Sequence, residues 1–310
     1  NYRNSVTTDG KKRRFAVLIP GYKEDAVIIE VARQALEQDY PAKSFEVVIV
    51  ADSFQEATLR KLRELPVRVV EVSFEVSTKS KALNAAMAEI GDDYDIALIL
   101  DADNIMEHDF IEKINQAFNQ GFMAVQGHRV AKNLNTNMAV LDAVSEEINN
   151  NIFRKGHRVL GFSSALIGSG MAFDYHFFKN LMAEIKAVGG FDKELELRLL
   201  KDRHRIEYVD SAIVLDEKVQ KSEVFANQRK RWLSAQFIYF RRFATSGLRE
   251  LFVSGNFDFA DKVYQMIQPP RILLIGILSL LTLIMAIVNL FAPVWMWTHL
   301  LLDFSSWLVI

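Results

Sequence analysis

The residues best suited to chemistry are Asp101 and Asp103, at the end of the segment IALILDAD (residues 96–103). Two carboxylates leave an apolar, strand-like run at positions i and i+2. At a strand end followed by a turn, both can approach one hard cation through oxygen ligands. Such a cation can bridge a nucleotide diphosphate and take up charge on a leaving group. An acidic pair can also face solvent or cap a helix. The buried strand before it is what gives this pair its weight.

Other residues fall at comparable positions. Asp52 follows the apolar run VVIVA, and Glu24 lies in IPGYKE. A carboxylate there can accept hydrogen bonds from a base or a ribose, although Glu24 and Asp25 also suit a helix N-terminus. Lys79-Ser80-Lys81-Ala82-Leu83-Asn84 opens a helical pattern. Lysines oppose the helix dipole at such a position, and a bound diphosphate would relieve the conflict. Gly168-Ser169-Gly170 permits close approach of backbone to a ligand or to another strand. Gly189-Gly190-Phe191-Asp192-Lys193-Glu194 leads into a helix, where Glu194 and Glu196 are candidate general bases. Acids in a first helical turn also have a purely structural use. Finally, Gln228, Arg231 and Trp232 share one helix face by their spacing. They offer a donor, a guanidinium and an indole.

Alternating elements must position these groups. Phe15–Pro20, Glu46–Ala51, Val67–Val72 and Ile96–Leu100 read as short strands. Asp25–Gln38, Gln55–Leu65 and Ser80–Ile90 read as helices between them. This order predicts an α/β domain with a mostly parallel central sheet covered on both faces. Sites in such sheets form beyond the carboxyl ends of the strands, where these acids lie. The chain has 310 residues, a net charge of −2 and no cysteine. The charge gives no reason to expect nucleic acid. The missing cysteine excludes disulfides and thiolate metal sites. Ile272–Phe291 is an uncharged apolar run long enough to cross a bilayer. Trp295 and Trp297 suit an interfacial belt, and a second apolar stretch starts at Val294. Residues 236–270, with Phe237, Phe240, Phe243, Arg241 and Arg242, suggest amphipathic helices in the membrane interface. Asn1 in place of Met, and an end inside an apolar stretch, lead to the expectation of further membrane helices at both ends.

Taken in this order, the motifs resemble glycosyltransferase family 2, and its membrane-integrated branch of cellulose, chitin and hyaluronan synthases. The resemblance runs from about Arg14 to Trp232. It implies a GT-A catalytic domain over residues 1–235, interfacial helices over 236–270 and a transmembrane region over 271–310. It further implies an inverting enzyme that moves a hexose or N-acetylhexosamine from a UDP-sugar, with Mg2+ or Mn2+. The acceptor would be a growing polysaccharide or a lipid-linked sugar, beside membrane lipids. Transfer of one sugar to a lipid carrier and a silent membrane-bound sugar-nucleotide sensor are the alternatives. Placement would be an inner or plasma membrane, with the catalytic domain cytoplasmic. By the resemblance, the donor site comprises Pro20, Tyr22, Glu24, Asp52, Lys81, Asp101, Gln228, Arg231 and Trp232. Asp101 and Asp103 would hold the metal. Gly168, Ser169, Gly170 and Trp232 would meet the acceptor. The family's Glu-Asp pair after the Gly-Gly-aromatic segment is missing from GGFDKELELRLL. Aligning on the Glu-Leu repeat makes Glu194 the base, with Asp192 and Glu196 as alternatives.

Overall fold

The apolar runs of the first hundred residues become strands β1 (Phe15–Tyr22), β2 (Phe45–Asp52), β3 (Arg68–Val72) and β4 (Ile96–Ile99). A computed structural model describes residues 10–185, 190–220 and 222–291. These four strands pair in parallel, in the order β3-β2-β1-β4. The side chains from Phe15 to Ile19 are all fully buried, as strands covered on both faces require. Helices α1 (Ile28–Ala35), α2 (Glu56–Arg63) and α3 (Lys79–Ile90) make the crossovers. α1 buries Ile28, Val31, Ala32 and Ala35, the i, i+3, i+4, i+7 face of an amphipathic helix. Each large aliphatic side chain placed in this layer contributes roughly 1.5–3 kcal/mol.

After β4 the pattern changes. The chain passes through β5 (Ile105–Met106), α4 (Phe110–Asn119) and β6 (Ala124–Ala131). It continues through α5 (Asn137–Asn149), α6 (His157–Val159), β7 (Met171–Asp174), α7 (Tyr175–Glu184), α8 (Phe191–Lys201) and β8 (Ile206–Asp216). The full sheet runs β3-β2-β1-β4-β7-β6-β8-β5. β7 is antiparallel to both β4 and β6, and β5 is antiparallel to β8. The expected mostly parallel sheet is therefore corrected to a mixed one. Strand β7 descends beside β4 from the end where Asp101 emerges, so its pairing needs no crossover helix. The same arrangement returns β8 to that end, placing Asp216 level with Ala131 of β6.

The chain divides into two compact units, Asn1–Val263 and Tyr264–Ile310. The helix that carries Gln228 does not stop near residue 235. It is α9 (Ser222–Arg249), followed by a π-helical segment (Glu250–Ser254) and α10 (Phe257–Gln265). In the second unit, α11 (Arg271–Phe291) exposes Leu273, Ile275, Leu280 and Leu283. The expected transmembrane helices, and the integral-membrane placement drawn from them, are corrected. Among the described residues, no helix is long and apolar enough to cross a membrane. The stretch from Val294, with Trp295 and Trp297, lies outside the described residues.

Candidate active site

A cleft of about 270 Å³ opens at the carboxyl ends of β1 and β2, against the start of α3. Pro20, Tyr22, Asp52, Thr78, Lys79 and Ala82 are among the residues that line it. Asp52 is buried, and the Ser53 hydroxyl donates to its Oδ1 at 3.0 Å. Two non-glycine residues beside the cleft, Lys23 (φ 56°) and Ser53 (φ 60°), hold left-handed backbone. Such conformations cost on the order of 1–3 kcal/mol each and cluster at ligand sites. Glu24 is exposed and does not line the cleft; its carbonyl accepts from the N–H groups of Val27 and Ile28 where α1 begins.

The lysine that lines the cleft is Lys79. Thr78 caps α3, its hydroxyl accepting from the Lys81 N–H at 3.3 Å. That cap aims the two lysines differently. Lys79 Nζ donates to Asp101 Oδ1 at 2.5 Å and to the Gly168 carbonyl at 2.7 Å. Lys81 is exposed and donates to the Val76 carbonyl at 2.9 Å. Lys79 therefore joins the cleft to the acidic pair, and Lys81 does not.

Asp101 and Asp103 sit in a crowded electrostatic setting. Burial, then Asp216, then Asp101 push the Asp103 carboxyl up to about 6. Arg129 lies 4.0 Å from Asp101 and 3.7 Å from Asp216, and its Nε donates to Glu146 at 2.7 Å. Lys218 pairs with Asp216 at 2.7 Å and also contacts Glu146. Burial alone would raise Glu146, but Arg129 and Lys218 hold it down at about 2. Nothing in the spacing of Arg129, Glu146, Asp216 and Lys218 marks them as neighbours; strand β8 brings them together. Among the described residues, no group of three or more His, Cys, Asp or Glu side chains is disposed to hold a metal ion. Asp101 and Asp103 nonetheless fit a cation of the Mg2+ type, which takes one or two carboxylates and completes its shell with water and phosphate oxygens.

The three acids of α8 have different surroundings. Gly190 caps the helix with left-handed backbone (φ 62°), and a Cβ there would stand 3.4 Å from Asp192 Oδ1. A Cβ on Gly168 (φ 80°) would stand 3.8 Å from Asp192 Cγ. Asp192 therefore lies beside the residue whose carbonyl receives Lys79. Burial pushes its carboxyl up, and among the described residues no other residue hydrogen-bonds or pairs with it. Glu194 is fully buried and accepts from Arg198 Nη2 at 2.9 Å. Arg242 Nη1 lies 3.1 Å from its other oxygen, an ion contact without hydrogen-bond geometry. Glu196 is also fully buried. It meets Lys262 at 3.1 Å, Lys193 at 3.3 Å and the Leu166 N–H at 3.1 Å. Burial opposes its charge, but the two lysines hold its carboxyl below the usual range.

Ser169 is fully buried beneath Asp101, whose N–H donates to its Oγ at 3.0 Å. Gly170 is buried too, so of the four residues expected at the acceptor only Gly168 and Trp232 reach an accessible surface. Gln228, Arg231 and Trp232 lie on α9, with Trp232 43% exposed. Arg229 stacks over the Trp232 ring at 4.9 Å and donates to Asp142 at 3.0 Å. Among the described residues, no hydrogen bond, ion pair or ring contact joins Gln228, Arg231 or Trp232 to Asp101 or Asp103.

Sequence comparison with curated proteins finds no match. Among solved structures, the chain is similar to a mannosyltransferase, PcManGT from Pyrobaculum calidifontis, in complex with GDP-Man and Mn2+. Identity is 16% and the TM-score is 0.57, over 97% of this chain and 86% of that one. A second similar structure is S. aureus TarS, at 15% identity and a TM-score of 0.48, over 83% of this chain and 50% of that one. At such identities the mannosyltransferase likeness shows the fold, which is GT-A-like. The family model described as "Glycosyltransferase like family 2" matches residues 13–235, from just before β1 into α9. That stretch includes the cleft, the acidic pair and the three acids of α8, and the chain belongs to this family.

Proposed function

We propose that the enzyme transfers a hexose or N-acetylhexosamine, with inversion, from a UDP-sugar to a hydroxyl of a saccharide acceptor, with Asp192 as the base. The observation that carries this reading is the chain of contacts from the cleft through Lys79 to Asp101 and Gly168, with Asp192 beside Gly168. The uracil and ribose lie in the cleft against Tyr22, and Asp52 accepts hydrogen bonds from them. Lys79 turns from Asp101 to the diphosphate, where an ammonium meets developing charge. Mg2+ or Mn2+, held by Asp101 and Asp103, would supply Lewis-acid stabilisation of the leaving diphosphate.

The acceptor oxygen attacks the anomeric carbon on the face opposite the diphosphate. A carbon–oxygen bond forms there and the anomeric carbon–phosphate oxygen bond breaks. UDP leaves with the electron pair, and the acceptor proton passes to Asp192. Burial raises the Asp192 carboxyl above the ordinary aspartate range, which makes its carboxylate a stronger proton acceptor than an ordinary aspartate. Glu194 and Glu196 are less suited, since their carboxylates are already paired with arginine or lysine.

The test is nucleoside diphosphate release from a panel of UDP-sugars and GDP-mannose, with and without Mg2+ or Mn2+, against polysaccharide and lipid-linked acceptors. UDP release that requires metal and vanishes in Asp192→Asn supports the reading. Release from none of the donors under any metal condition overturns it. Product length separates a polymer synthase from single-sugar transfer.

A further inference from the structure

Asn104 follows the acidic pair and is 1% exposed. Its amide makes every hydrogen bond an asparagine side chain can make. Nδ2 donates to Asp103 Oδ1 at 3.1 Å and to Asp216 Oδ1 at 3.0 Å. Oδ1 accepts from the Asp101 N–H at 3.3 Å and from the Ser169 hydroxyl. Only this orientation of the amide works, because two carboxylates need donors on one side while an N–H and an O–H need an acceptor on the other.

These bonds tie three separate segments together: the turn after β4, the loop that precedes β7, and the end of β8. The loop is itself held from behind. Gln126 is fully buried, donates to the Ser169 carbonyl at 2.9 Å and accepts from the Ile167 N–H at 3.1 Å. Asn104 is thus anchored to a fixed frame rather than to a loose loop. Asp103 and Asp216 repel one another, and the amide between them gives each a donor. Among the described residues, no other side chain donates a hydrogen bond to Asp103.

We infer that Asn104 is a positioning residue whose buried amide presents the Asp101–Asp103 carboxylates, preformed, to a divalent cation and a nucleoside diphosphate. Neither the family resemblance nor the sequence pattern assigns it this role. The inference rests on the donor-site reading above. Groups that orient metal-binding side chains typically change metal affinity about 10- to 100-fold when removed.

The test is Mn2+ binding to the full chain, followed by the loss of the free-ion EPR signal, with and without UDP, beside melting temperatures. Asn104→Ala is expected to weaken Mn2+ binding in the presence of UDP about 10- to 100-fold. Ser169→Ala removes one anchor of the amide and is expected to weaken it by a smaller factor. The control is Asn115→Ala. Asn115 is also 1% exposed and donates to the Lys11 carbonyl at 2.8 Å, far from the acidic pair. Its loss should lower the melting temperature and leave Mn2+ affinity unchanged. A folded Asn104→Ala protein that binds Mn2+ like wild type overturns the inference. So does an Asn115→Ala protein that loses as much affinity. If Asn104→Ala does not fold, Ser169→Ala decides in the same way. Wild-type protein that takes up no Mn2+ with UDP removes the donor-site reading itself, an outcome distinct from the other two.

Discussion

Two acidic clusters of this molecule differ in what compensates them. On the inner face of α8, Glu194 and Glu196 are fully buried, yet each meets arginine or lysine, and Glu196 is held below its usual range. At the end of β4, Asp103 faces Asp216 and Asp101 and is pushed up to about 6. The first cluster is balanced by the protein alone. The second has more negative charge at Asp103 than its own cations offset, although Lys79 and Arg129 stand beside Asp101. Burial by itself therefore does not distinguish a structural acid from a functional one. The balance of nearby charge is the better guide, because a buried carboxylate short of cationic partners has its pKa raised, and such groups cluster at functional sites.

The largest effect that could break this contrast comes from Asp192→Asn against Glu194→Gln. Removing a general base lowers turnover about 10²–10⁴-fold. Asp192→Asn should do so while nucleotide binding persists. Glu194→Gln should keep turnover near wild type but lower stability by about 1–3 kcal/mol, because it weakens the hydrogen bond from Arg198. Steady-state kinetics and denaturant unfolding separate the two. The reverse pattern would make Glu194 the base.

Next comes Asp103→Asn. Loss of charge stabilisation at the leaving group should cut turnover about 10²–10³-fold. The melting temperature should rise, since the ionised carboxylate is opposed by burial, Asp216 and Asp101. A fall in melting temperature would place Asp103 among the compensated acids.

A smaller contrast separates the two lysines of α3. Lys79→Ala should reduce kcat/KM about 10- to 100-fold, the worth of one charge-assisted hydrogen bond of about 1.5–3 kcal/mol. Lys81→Ala should change it by no more than about 0.5 kcal/mol, as for an ordinary surface substitution. Equal losses would end the distinction.

The smallest effect is in the pH dependence of stability. Asp103 has a raised folded value, so the folded state gains protons first and stability rises as pH falls through about 6. Glu196 has a lowered one, so its contribution is full above the usual glutamate value of 4.5 and is lost as pH falls through its folded value. Thermal melts from pH 8 to 3 should show a shallow gain followed by a loss, and Asp103→Asn should shrink the gain to the part that Asp192 contributes while leaving the loss in place.

The elements that carry the cleft were legible because they are local. β1 to β4 appear within two residues of the apolar runs that announce them, α1 and α2 fall inside the expected helical stretches, and α3 begins one residue before its own. Pro20, Tyr22 and Asp52 line the cleft at the ends of β1 and β2. The aim of a lysine was not legible. Lys79 and Lys81 are two residues apart, and the Thr78 cap sends one to Asp101 and the other to Val76. Nor was the choice among the acids of α8, because Asp192, Glu194 and Glu196 have similar chemistry. Only the partners Arg198, Arg242, Lys193 and Lys262 tell them apart.

By itself the sequence determined the alternation of strands and helices, the acids at strand ends and the membership of the family, since each follows from patterns within some tens of residues. Tertiary structure alone decided the reversed strand β7, the return of Asp216 to Asp103 and the burial of Ser169 beneath Asp101. Those depend on segments about 70 to 110 positions apart, whose pairing is set by the packing of the whole sheet and leaves no periodic trace along the chain.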